Sequence, residues 1–486
     1  MERREFISKL GQIGIGAVGL SMLPDMVRTS IAKNGTLPNI VFIIADDMGW
    51  NQTGYIGSKF YETPNIDSIA HEGIYFTQAY APAPTCSPSR AGIMTGKYPA
   101  RLNLTEYIPG DQYPWAKLKC PKMVERLPLE ETTIAEMMKP LGYKTAMVGK
   151  WHLNIDKNYK PGRLGDAGSQ GFDVDYPNDK PEPTDDPTND AHHAIENTNE
   201  ALKFLDANSD QPFFLYLAYS IPHRPIMEHP DLIYKYQSKE GSDKLINNPI
   251  IAAMIERMDS QIGRVLKKID DYKLRDNTIV IFYSDNGGYD KLQAQDPLRG
   301  GKSMLYEGGI RVPLAVRWPG VIKSGSKCDL PVTGIDFLPT FADILGIKSI
   351  PENVDGVSFL PLLNQSGEFK RDAIYWHYPH YHRFGYMPSG AIREGRYKLI
   401  EWYEKSFFNQ TKSVSLFDIV SDIGETNDLS EQMPEKTKEL WDKLKSWRKK
   451  VDAKEMKINP DYDPKRALFW REGLDPKSAE SIGQYY

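Results

Sequence analysis

The stretch NIVFIIADD, residues 39–47, sets the fold that the sequence predicts. Six apolar residues follow Asn39 and two aspartates close the run, which is typical of a strand buried on both faces of a parallel sheet. Comparable runs recur downstream as KTAMVG (144–149), FFLYLAY (213–219), TIVIFYSD (278–285) and VPLAVRW (312–318). Helical patterns alternate with these runs at 129–139, 190–205 and 250–270. We therefore expect an α/β domain with helices on both faces of the sheet.

The pattern changes near residue 369. Short strand patterns separated by turn residues appear as AIYWHYP (373–379), GAIREGRYKLIEWY (390–403) and SVSLFDI (413–419). The amphipathic stretch EKTKELWDKLKSWRKKV (435–451) follows them. These patterns predict a small antiparallel sheet with a terminal helix packed against the main body. We divide the chain into an export signal (1–35), an α/β domain (36–368) and a C-terminal subdomain (369–486).

The first residues are typical of a twin-arginine export signal. Arg3 and Arg4 precede a short apolar stretch from Leu10 to Leu23, and residues 30–32 fit the site at which such a signal is cleaved. The alternative is an N-terminal anchor, but the apolar run is shorter than the ~20 residues that a membrane span needs. We expect a periplasmic or secreted protein with no stable membrane span after signal removal.

The composition and net charge of the chain limit the kinds of molecule that it can bind. Of 486 residues, 40% are hydrophobic and 26% are charged, as in soluble globular proteins. The formal net charge is -5 and no long Lys/Arg run occurs, which argues against nucleic acid as a partner. Of the three cysteines, Cys120 and Cys328 can pair in an exported protein, but free thiols are the favoured interpretation.

Acidic residues follow two of the predicted strands. Asp46 and Asp47 close the first run, and Asp285 and Asn286 close the run at 278–284. Taken separately, these residues fit turns or helix caps. If the strands share one sheet edge, their oxygens form a hard ligand set suited to Ca²⁺ or Mg²⁺ rather than to zinc.

Basic residues and histidines follow other strands or lie in a glycine-rich loop. Lys150 and His152 are at alternate positions after the run at 144–149, His223 follows the run at 213–219, and Lys302 lies in LRGGKS. Alternation places Lys150 and His152 on one face if the strand continues. Each residue alone is weak as a catalytic candidate, but together they supply the charge neutralisation and proton transfer that cleavage of an anionic ester requires.

Cys86 lies in PAPTCSPSRAGIMTG, residues 82–96, where polar and small residues predict a turn leading into a helix. A Cys-x5-Arg phosphatase needs arginine at position 92, where the chain has Gly92. A zinc site lacks a second nearby cysteine, and a papain-like nucleophile fits poorly beside a carboxylate-rich metal site. The unmodified thiol therefore explains little about this stretch.

CSPSRAGIMTG (86–96) resembles the signature Cys-x-Pro-Ser-Arg-x-x-x-x-Thr-Gly of the formylglycine-dependent sulfatases of the alkaline phosphatase superfamily. In that family the cysteine is oxidised to an aldehyde by a maturing enzyme. The similarity continues in the family's order through ADDMGWNQTGYIG (45–57), TPNIDSIAHEG (63–73), GKWHL (149–153), PH (222–223), YSDNGG (283–288) and RGGK (299–302). The ending LFDIVSDIGETNDLS (416–430) is also similar, although Ile423 and Gly424 replace the usual proline and the residue after it.

The resemblance implies an alkaline-phosphatase-like fold, with a large, mostly parallel mixed sheet between helices. It implies a sulfatase in which Cys86 becomes formylglycine and binds one Ca²⁺ per chain, rather than Mg²⁺, together with Asp46, Asp47, Asp285 and Asn286. A hydrated aldehyde has one hydroxyl that attacks sulfur and a second that expels sulfate.

The same resemblance implies roles for the basic residues. Arg90 holds the hydrated aldehyde, and Lys150 and Lys302 hold sulfate oxygens. His152 assists the hydrate, and His223 lies on the leaving-group side. A sulfatase-maturing enzyme is then a partner during biogenesis.

Two further stretches bear on the substrate. YWHYPHYHRFGY (375–386) clusters His377, His380, His382 and Arg383 among aromatic residues. This cluster fits either packing between domains or a wall that binds a sulfated sugar. The Pro- and Asp-rich stretch at 173–190 predicts a long loop, which is often found at a site. Export favours a sulfated carbohydrate as the substrate.

Three alternatives remain at this point. A phosphonate or phosphate ester hydrolase of the same superfamily uses a similar arrangement, although phosphate favours a second metal whose histidine ligands are not evident. A non-catalytic protein that binds sulfated glycans is favoured if Cys86 remains a thiol. A purely structural surface protein leaves the ordered polar motifs unexplained.

Overall fold

The apolar run that opens the described chain forms strand β1, which lies inside a nine-stranded sheet. The structure is a computed structural model that describes residues 37–465 except 112, 180 and 383–385. The described strands are β1 (Asn39–Ala45), β2 (Ile74–Tyr80), β3 (Leu118–Lys119), β4 (Lys144–Gly149), β5 (Val174–Pro177), β6 (Phe213–Ala218), β7 (Thr278–Ser284), β8 (Arg311–Arg317), β9 (Ser326–Cys328), β10 (Val332–Thr333), β11 (Ile374–Tyr378), β12 (Ser389–Glu394), β13 (Tyr397–Trp402), β14 (Val414–Asp418) and β15 (Lys457–Ile458).

The described α-helices are α1 (Pro64–His71), α2 (Cys86–Thr95), α3 (Pro99–Leu102), α4 (Ile134–Met138), α5 (Ala194–Asn208), α6 (Pro230–Gln237), α7 (Pro249–Asp271), α8 (Glu307–Ile310), α9 (Phe337–Ile344), α10 (Leu360–Leu363), α11 (Tyr403–Phe407) and α12 (Pro434–Lys450). Short 3-10 helices cover Gly54–Ile56, Lys139–Leu141, Ala167–Gln170, Pro187–Asn189, Arg275–Asn277 and Gly334–Asp336.

The large sheet has the strand order β10-β2-β8-β7-β1-β6-β4-β5, and β9 pairs with β2. Only β8 runs antiparallel to its neighbours among the described strands of this sheet. Strand β1 pairs in parallel with β6 and β7, with Ala45 opposite Ser284 at the carboxyl end. The predicted mixed, mostly parallel sheet is confirmed.

Side chains of β1 alternate between two cores. Ile40, Phe42 and Ile44 pack into a core with helices α2, α4 and α9 on one face, whereas Val41 and Ile43 pack with α1, α5, α6 and α7 on the other. All five side chains are fully buried, and each contributes about 1.5–3 kcal/mol by burial. A strand covered on both faces must be apolar throughout, which explains the unbroken run in the sequence.

The C-terminal region forms the predicted small antiparallel sheet, in the order β11-β12-β13-β14. Helix α12 packs its Leu440 and Leu444 against Leu399 and Leu416 of this sheet. The opposite face, which includes Trp376 and Ile400, packs against the loop and helix at residues 304–310 of the main body. The division at 368/369 stays a prediction.

Several elements differ from the expectation. The helix predicted at 129–139 begins only at α4, because Thr133 caps it in a capping box with Glu136. Within 173–190, residues 174–177 form edge strand β5, which pairs only with β4 among the described strands. The pair β3 and β15 was not predicted.

The structure records Cys120 and Cys328 as free thiols, as the favoured interpretation expects. The predicted export signal, residues 1–35, lies outside the described residues. Within the described chain, no helix has the length and apolar character needed to cross a membrane.

Candidate active site

Polar residues that follow buried strands come together at one edge of the large sheet. Asp46 and Asp47 directly follow β1, and Asp285 follows β7, the parallel neighbour of β1. Lys150 follows β4, two strands away on the other side of β1. Carboxyl ends of parallel strands meet at the same sheet edge, so the topology brings these side chains together.

Cys86 is the first residue of α2, and its sulfur faces this edge. Thr85 precedes the helix in extended conformation, and Gly96 ends it with a φ of 68°. The Cys86 thiol donates to Asp46 Oδ1 over 3.4 Å, and its sulfur is 3.5 Å from Lys302 Nζ. The partial positive charge of a helix N-terminus favours anionic groups at this position.

Three buried cations pair with the three carboxylates, as Arg90 with Asp285, Lys150 with Asp46 and Lys302 with Asp47. The N···O distances are 2.8, 2.5 and 2.7 Å in that order. Arg90 Nη1 also donates to the carbonyl oxygen of Lys150 over 2.5 Å. These contacts hold the ends of three separate segments in one arrangement.

Burial and pairing act in opposite directions on the pKa values of this group. Burial alone would raise the pKa of Asp46, but nearby cations, Lys150 first among them, hold it well below its usual range. Burial opposes the ammonium of Lys302, whereas Asp47 raises its pKa well above the ordinary value. Burial raises the pKa of the Cys86 thiol, which therefore stays protonated at neutral pH.

The donor set fits a divalent cation. One ligand atom each from Asp46, Asp47, Cys86 and Asp285 lies within 4.8 Å of the others. Asn286 Nδ2 donates to Asp47 Oδ1 over 2.7 Å, while the buried Oδ1 of Asn286 accepts no hydrogen bond within the described chain. A buried amide oxygen without a donor, beside three carboxylates, suits a hard cation such as Ca²⁺ or Mg²⁺.

Two histidines lie beside this group. His152 Nε2 is 2.8 Å from the carbonyl oxygen of Ile108, and its buried Nδ1 has no partner among residues 37–465 as described. Burial lowers the pKa of His152 well below its usual value, so the neutral ring presents Nδ1 as an acceptor. His223 Nε2 is 3.6 Å from Asp47 Oδ2, and its Nδ1 is 2.7 Å from the Arg224 carbonyl oxygen.

One local expectation from the sequence is wrong. Strand β4 ends at Gly149 and His152 has a φ of 53°, so Lys150 and His152 do not share a face by strand alternation. In the glycine-rich loop, the backbone N–H groups of Lys302 and Ser303 donate to the carbonyl oxygens of Gly288 and Pro84, each over 2.8 Å, so that Lys302 offers an anion only its side chain.

A cleft of about 810 Å³ opens above the cluster. Its lining includes the catalytic candidates Cys86, Lys150, His152, His223 and Lys302. Tyr107, Tyr289 and His382 add aromatic rings from three different segments. The other charged residues of the lining are Asp156, Lys157, Asp179, Glu182, Asp185 and Arg224.

The sequence reasoning did not single out these acids or the two tyrosines. The only signal was the unusual composition of the stretch at 173–190, whose Asp179, Glu182 and Asp185 do line the cleft. Asp156 lies in a different connection, a few residues after β4, and no pattern in the sequence marks it.

The three described residues of the predicted sugar-binding wall do not lie together. His382 lines the cleft, but His377 and His380 are buried away from its lining. His377 Nδ1 is 2.6 Å from the Tyr403 hydroxyl, and His380 Nε2 is 2.8 Å from the Thr105 hydroxyl. Both rings are therefore held by interior polar groups, in agreement with the packing alternative.

Burial lowers the pKa of both His377 and His380 to about 3, so neither ring carries charge at neutral pH. Arg383, the fourth predicted residue, lies outside the described residues.

The model of the sulfatase family matches residues 38–347, which include every strand of the large sheet and the whole buried ionic cluster. The chain belongs to the sulfatase family. A second family model, the C-terminal region of N-sulphoglucosamine sulphohydrolase, matches residues 301–450. The protein is a sulfatase, a hydrolase of sulfuric esters.

Relatives of this sulfatase are similar over nearly the whole chain. A protein of Formosa agariphila described as a sulfatase is 29% identical over 90% of this chain and 93% of its own length. The N-acetylgalactosamine-6-O-sulfatase of Bacteroides thetaiotaomicron is 27% identical over 90% of this chain and 99% of its own length. The solved structure of Ps i-CgsB in complex with k-i-k-neocarrahexaose aligns with a TM-score of 0.71 and 26% identity, covering 92% of this sulfatase and all (100%) of that chain.

Proposed function

We propose that this sulfatase removes sulfate from a sulfated carbohydrate, through formylglycine made from Cys86 and one bound Ca²⁺. The observation that carries the proposal is the convergence of three carboxylates, an amide oxygen and the Cys86 side chain at the floor of one cleft. Three buried cations surround the same point, which suits the binding and transfer of an anion.

Asp46, Asp47, Asp285, Asn286 and the modified Cys86 would hold the cation. When bound, the metal and the aldehyde supply Lewis-acid stabilisation and a nucleophile, respectively. The low pKa of Asp46 keeps this ligand ionised across the neutral range. Arg90 fixes Asp285 and the end of β4 through its two hydrogen bonds, and so orients the ligand set.

The remaining groups act on the substrate and on protons. Lys150 and Lys302 stabilise sulfate oxygens as negative charge builds up on the transferring group. His152 accepts a proton at Nδ1 from the group that stands at position 86. His223, at the wall of the cleft, delivers a proton to the leaving sugar oxygen.

A carbohydrate substrate is supported by three independent features. Relatives of this sulfatase carry an N-acetylgalactosamine-6-O-sulfatase name or were crystallised with an oligosaccharide. Tyr107, Tyr289 and His382 offer rings on which a sugar can stack. The twin-arginine pattern at the N-terminus predicts export to a space where polysaccharides are found.

The test begins with the tryptic peptide 60–90 from protein expressed with a sulfatase-maturing enzyme. The expected mass corresponds to an aldehyde in place of the Cys86 thiol. An unmodified thiol, under conditions that mature a control sulfatase, would contradict the proposal and favour a protein that binds sulfated glycans without turnover.

Metal and reaction class are tested on the same matured protein. Elemental analysis is expected to give one calcium per chain, and Asp285→Ala is expected to lose it together with activity. Release of inorganic sulfate and of phosphate from matched esters separates a sulfatase from a phosphate ester hydrolase, and faster phosphate release would refute the sulfate assignment.

A further inference from the structure

The cleft carries opposite charge at its floor and at its rim. Lys150 and Lys302 line the floor, where the sulfate ester reacts under the proposed function. The lining also contains four acids, namely Asp156 and the exposed Asp179, Glu182 and Asp185, and the three exposed acids are called the rim. Apart from the floor lysines, the described lining has two cations, Lys157 and Arg224, so that this described part of the cleft has an excess of negative charge.

Three of the acids are directed toward the solvent side of the cleft. Asp179, Glu182 and Asp185 are exposed and belong to the connection between β5 and α5. The Glu182 carboxylate is 3.9 Å from Lys157 Nζ, and both side chains are more than half exposed, at 63% and 67%. A pair of that kind is weak, because water and salt screen both charges.

The described cations of the lining offset only part of this charge, since they number two against four acids. The guanidinium of Arg224 lies over the ring of Tyr289, with its carbon 5.1 Å from the ring centre. His193, also in the lining, is 2.7 Å from the Glu196 carboxylate through Nδ1. A second anion entering the described rim would therefore meet a net negative charge.

Two further observations mark the cleft as a site for a ligand. His152 is 8% exposed and lines the cleft, and its Nδ1 has no hydrogen-bond partner within the described chain. Tyr107 and His382 contact each other edge to face, with ring centres 6.0 Å apart. Aromatic rings suit the apolar face of a sugar, and carboxylates accept hydrogen bonds from its hydroxyl groups.

We propose that the preferred substrate is a singly sulfated sugar end whose neighbouring sugar carries hydroxyl groups but no second anion. Asp179, Glu182 and Asp185 determine this preference by accepting hydroxyl hydrogen bonds and repelling further sulfates. The inference rests on the proposed function and adds to it the class of glycan that the cleft accepts.

The expected size of the effect follows from simple electrostatics. Charges about 10 Å apart near a protein surface interact weakly one by one, but three acids acting together change the binding of one extra sulfate by about five- to tenfold at low ionic strength. Because the Debye length falls to about 3 Å at 1 M salt, the preference is lost at high salt.

The test uses matured, calcium-loaded enzyme and a panel of monosulfated monosaccharides. The sugar that is turned over is then extended to two synthetic disaccharides that differ only by a sulfate on the second sugar. Sulfate release gives kcat/KM for each disaccharide. The wild type is expected to favour the monosulfated disaccharide about tenfold at about 0.02 M salt. The triple variant Asp179→Asn, Glu182→Gln, Asp185→Asn is expected to reduce that preference to about twofold.

Matched controls separate charge from structure. The triple variant Asp210→Asn, Asp243→Asn, Glu431→Gln makes the same change in charge at exposed positions outside the cleft lining, and is expected to keep the tenfold preference. Asparagine at 185 retains an acceptor for the Glu182 N–H, which donates to Asp185 over 2.8 Å, so the loop should keep its conformation.

The outcomes distinguish the inference from the proposed function. Equal rates on both disaccharides in the wild type, or an unchanged preference in the rim variant, would overturn the inference while leaving a carbohydrate sulfatase in place. A preference that persists at about 1 M salt would show that its cause is steric rather than electrostatic, and would also overturn the inference. No turnover of any sulfated sugar, with aryl sulfates still cleaved, would instead contradict the proposed carbohydrate substrate.

Discussion

This sulfatase contains two buried clusters, each made of acidic and basic side chains. The two clusters differ in how completely their polar atoms are paired. The cleft cluster consists of Asp46, Asp47, Asp285, Arg90, Lys150 and Lys302 at the carboxyl ends of the large sheet. The sheet cluster consists of Glu307, Arg311, Lys398 and Glu425, where the main body meets the small C-terminal sheet. All ten side chains are at most 6% exposed.

In the sheet cluster every carboxylate oxygen lies within ion-pair or hydrogen-bond distance of a donor. Lys398 Nζ lies 3.0 Å from Glu307 and 2.9 Å from Glu425, although the contact with Glu425 Oε1 is an ion pair without hydrogen-bond geometry. The second oxygen of Glu307 accepts from the Tyr80 hydroxyl over 2.7 Å, and the second oxygen of Glu425 accepts from the Glu307 backbone N–H over 2.6 Å. This arrangement joins α8, β13 and the segment at 422–430.

The cleft cluster lies beside polar atoms that the described chain leaves without hydrogen bonds. They include Asn286 Oδ1 and His152 Nδ1, neither of which has an ion pair or a hydrogen bond within the described chain. Leaving buried polar atoms unpaired costs about 1–3 kcal/mol each, which a structural cluster avoids. The comparison teaches that incomplete pairing, rather than buried charge itself, marks the functional cluster.

The largest expected effect comes from removing the side chain at position 86. Cys86→Ala is expected to lower turnover at least about 10⁴-fold, because no nucleophile can be generated there. The melting temperature should change by less than about 2 °C, since the side chain is small and lies at the start of a helix. Calorimetry and sulfate release check the two parts.

Cys328→Ala, a thiol outside the cleft lining, serves as the control and should retain activity. A large drop in the melting temperature of Cys86→Ala would mean that Cys86 contributes mainly to packing, and would weaken the distinction between the two clusters.

Lys398→Met breaks the sheet cluster and should mainly reduce stability. The substitution leaves Glu307 and Glu425 buried without their shared cation, for an expected loss of about 3–5 kcal/mol in the free energy of unfolding. Turnover per folded molecule should stay within about twofold, since Lys398 does not line the cleft. Denaturant unfolding and active-site titration provide the two measurements.

Lys436→Met is the matched control, because Lys436 pairs with Glu394 at a position that is 23% exposed. Its loss should stay below about 1 kcal/mol. If Lys398→Met instead abolished turnover in folded protein, the sheet cluster would have a role in the reaction that its complete pairing does not suggest.

Lys302→Met makes the same chemical change in the cleft cluster and should give the opposite result. The loss of one cation beside the reacting sulfur is expected to lower kcat by about 10²–10³. The melting temperature of the calcium-loaded protein should fall by less than half of the fall seen for Lys398→Met. Equal losses of stability in the two variants would show that both clusters serve mainly to hold the fold.

The sequence predicted the large sheet well because its strands are covered on both faces. The run at 144–149 matches β4 residue for residue, and β7 differs by one residue from its predicted run. The edge strand β5 escaped prediction because it has a neighbour on one side only, and its polar residues resemble a loop. The strands of the β3–β15 pair have only two residues each, which is too short for an alternating pattern to be recognised.

The convergence of site residues was predictable because they follow the strands of a predicted parallel sheet, whose carboxyl ends meet at one edge. The two clusters, however, could not be told apart from the sequence. Glu307, Lys398 and Glu425 lie far apart in the chain, and only the fold brings them into contact. For the same reason the sequence did not separate the buried His377 from His382 at the cleft.

The smallest expected effect concerns Glu106. This buried acid belongs to neither cluster, since Lys398 does not pair with it and it does not line the cleft. Its carboxyl hydrogen-bonds with the Tyr378 hydroxyl and accepts from the Tyr107 N–H, and it makes no ion pair with a described residue. Burial raises its pKa to about 8 from an ordinary value of 4.5. Because the folded protein binds this proton more tightly than the unfolded chain, the associated stability is complete below about pH 4.5 and is lost as the pH rises to about 8.

Glu106→Gln mimics the protonated acid at every pH, since its amide group can donate to Tyr378 and its oxygen can accept from Tyr107. The variant and the wild type should melt together near pH 4.5, and the variant should melt roughly 2–4 °C higher at pH 8. Turnover should be unchanged, which separates this buried acid from those of the cleft cluster. If the melting temperatures of the variant and the wild type differed by the same amount at every pH in this range, Glu106 would not be the group that binds the proton. The exposed control Glu431→Gln should have the melting temperature of the wild type at each pH.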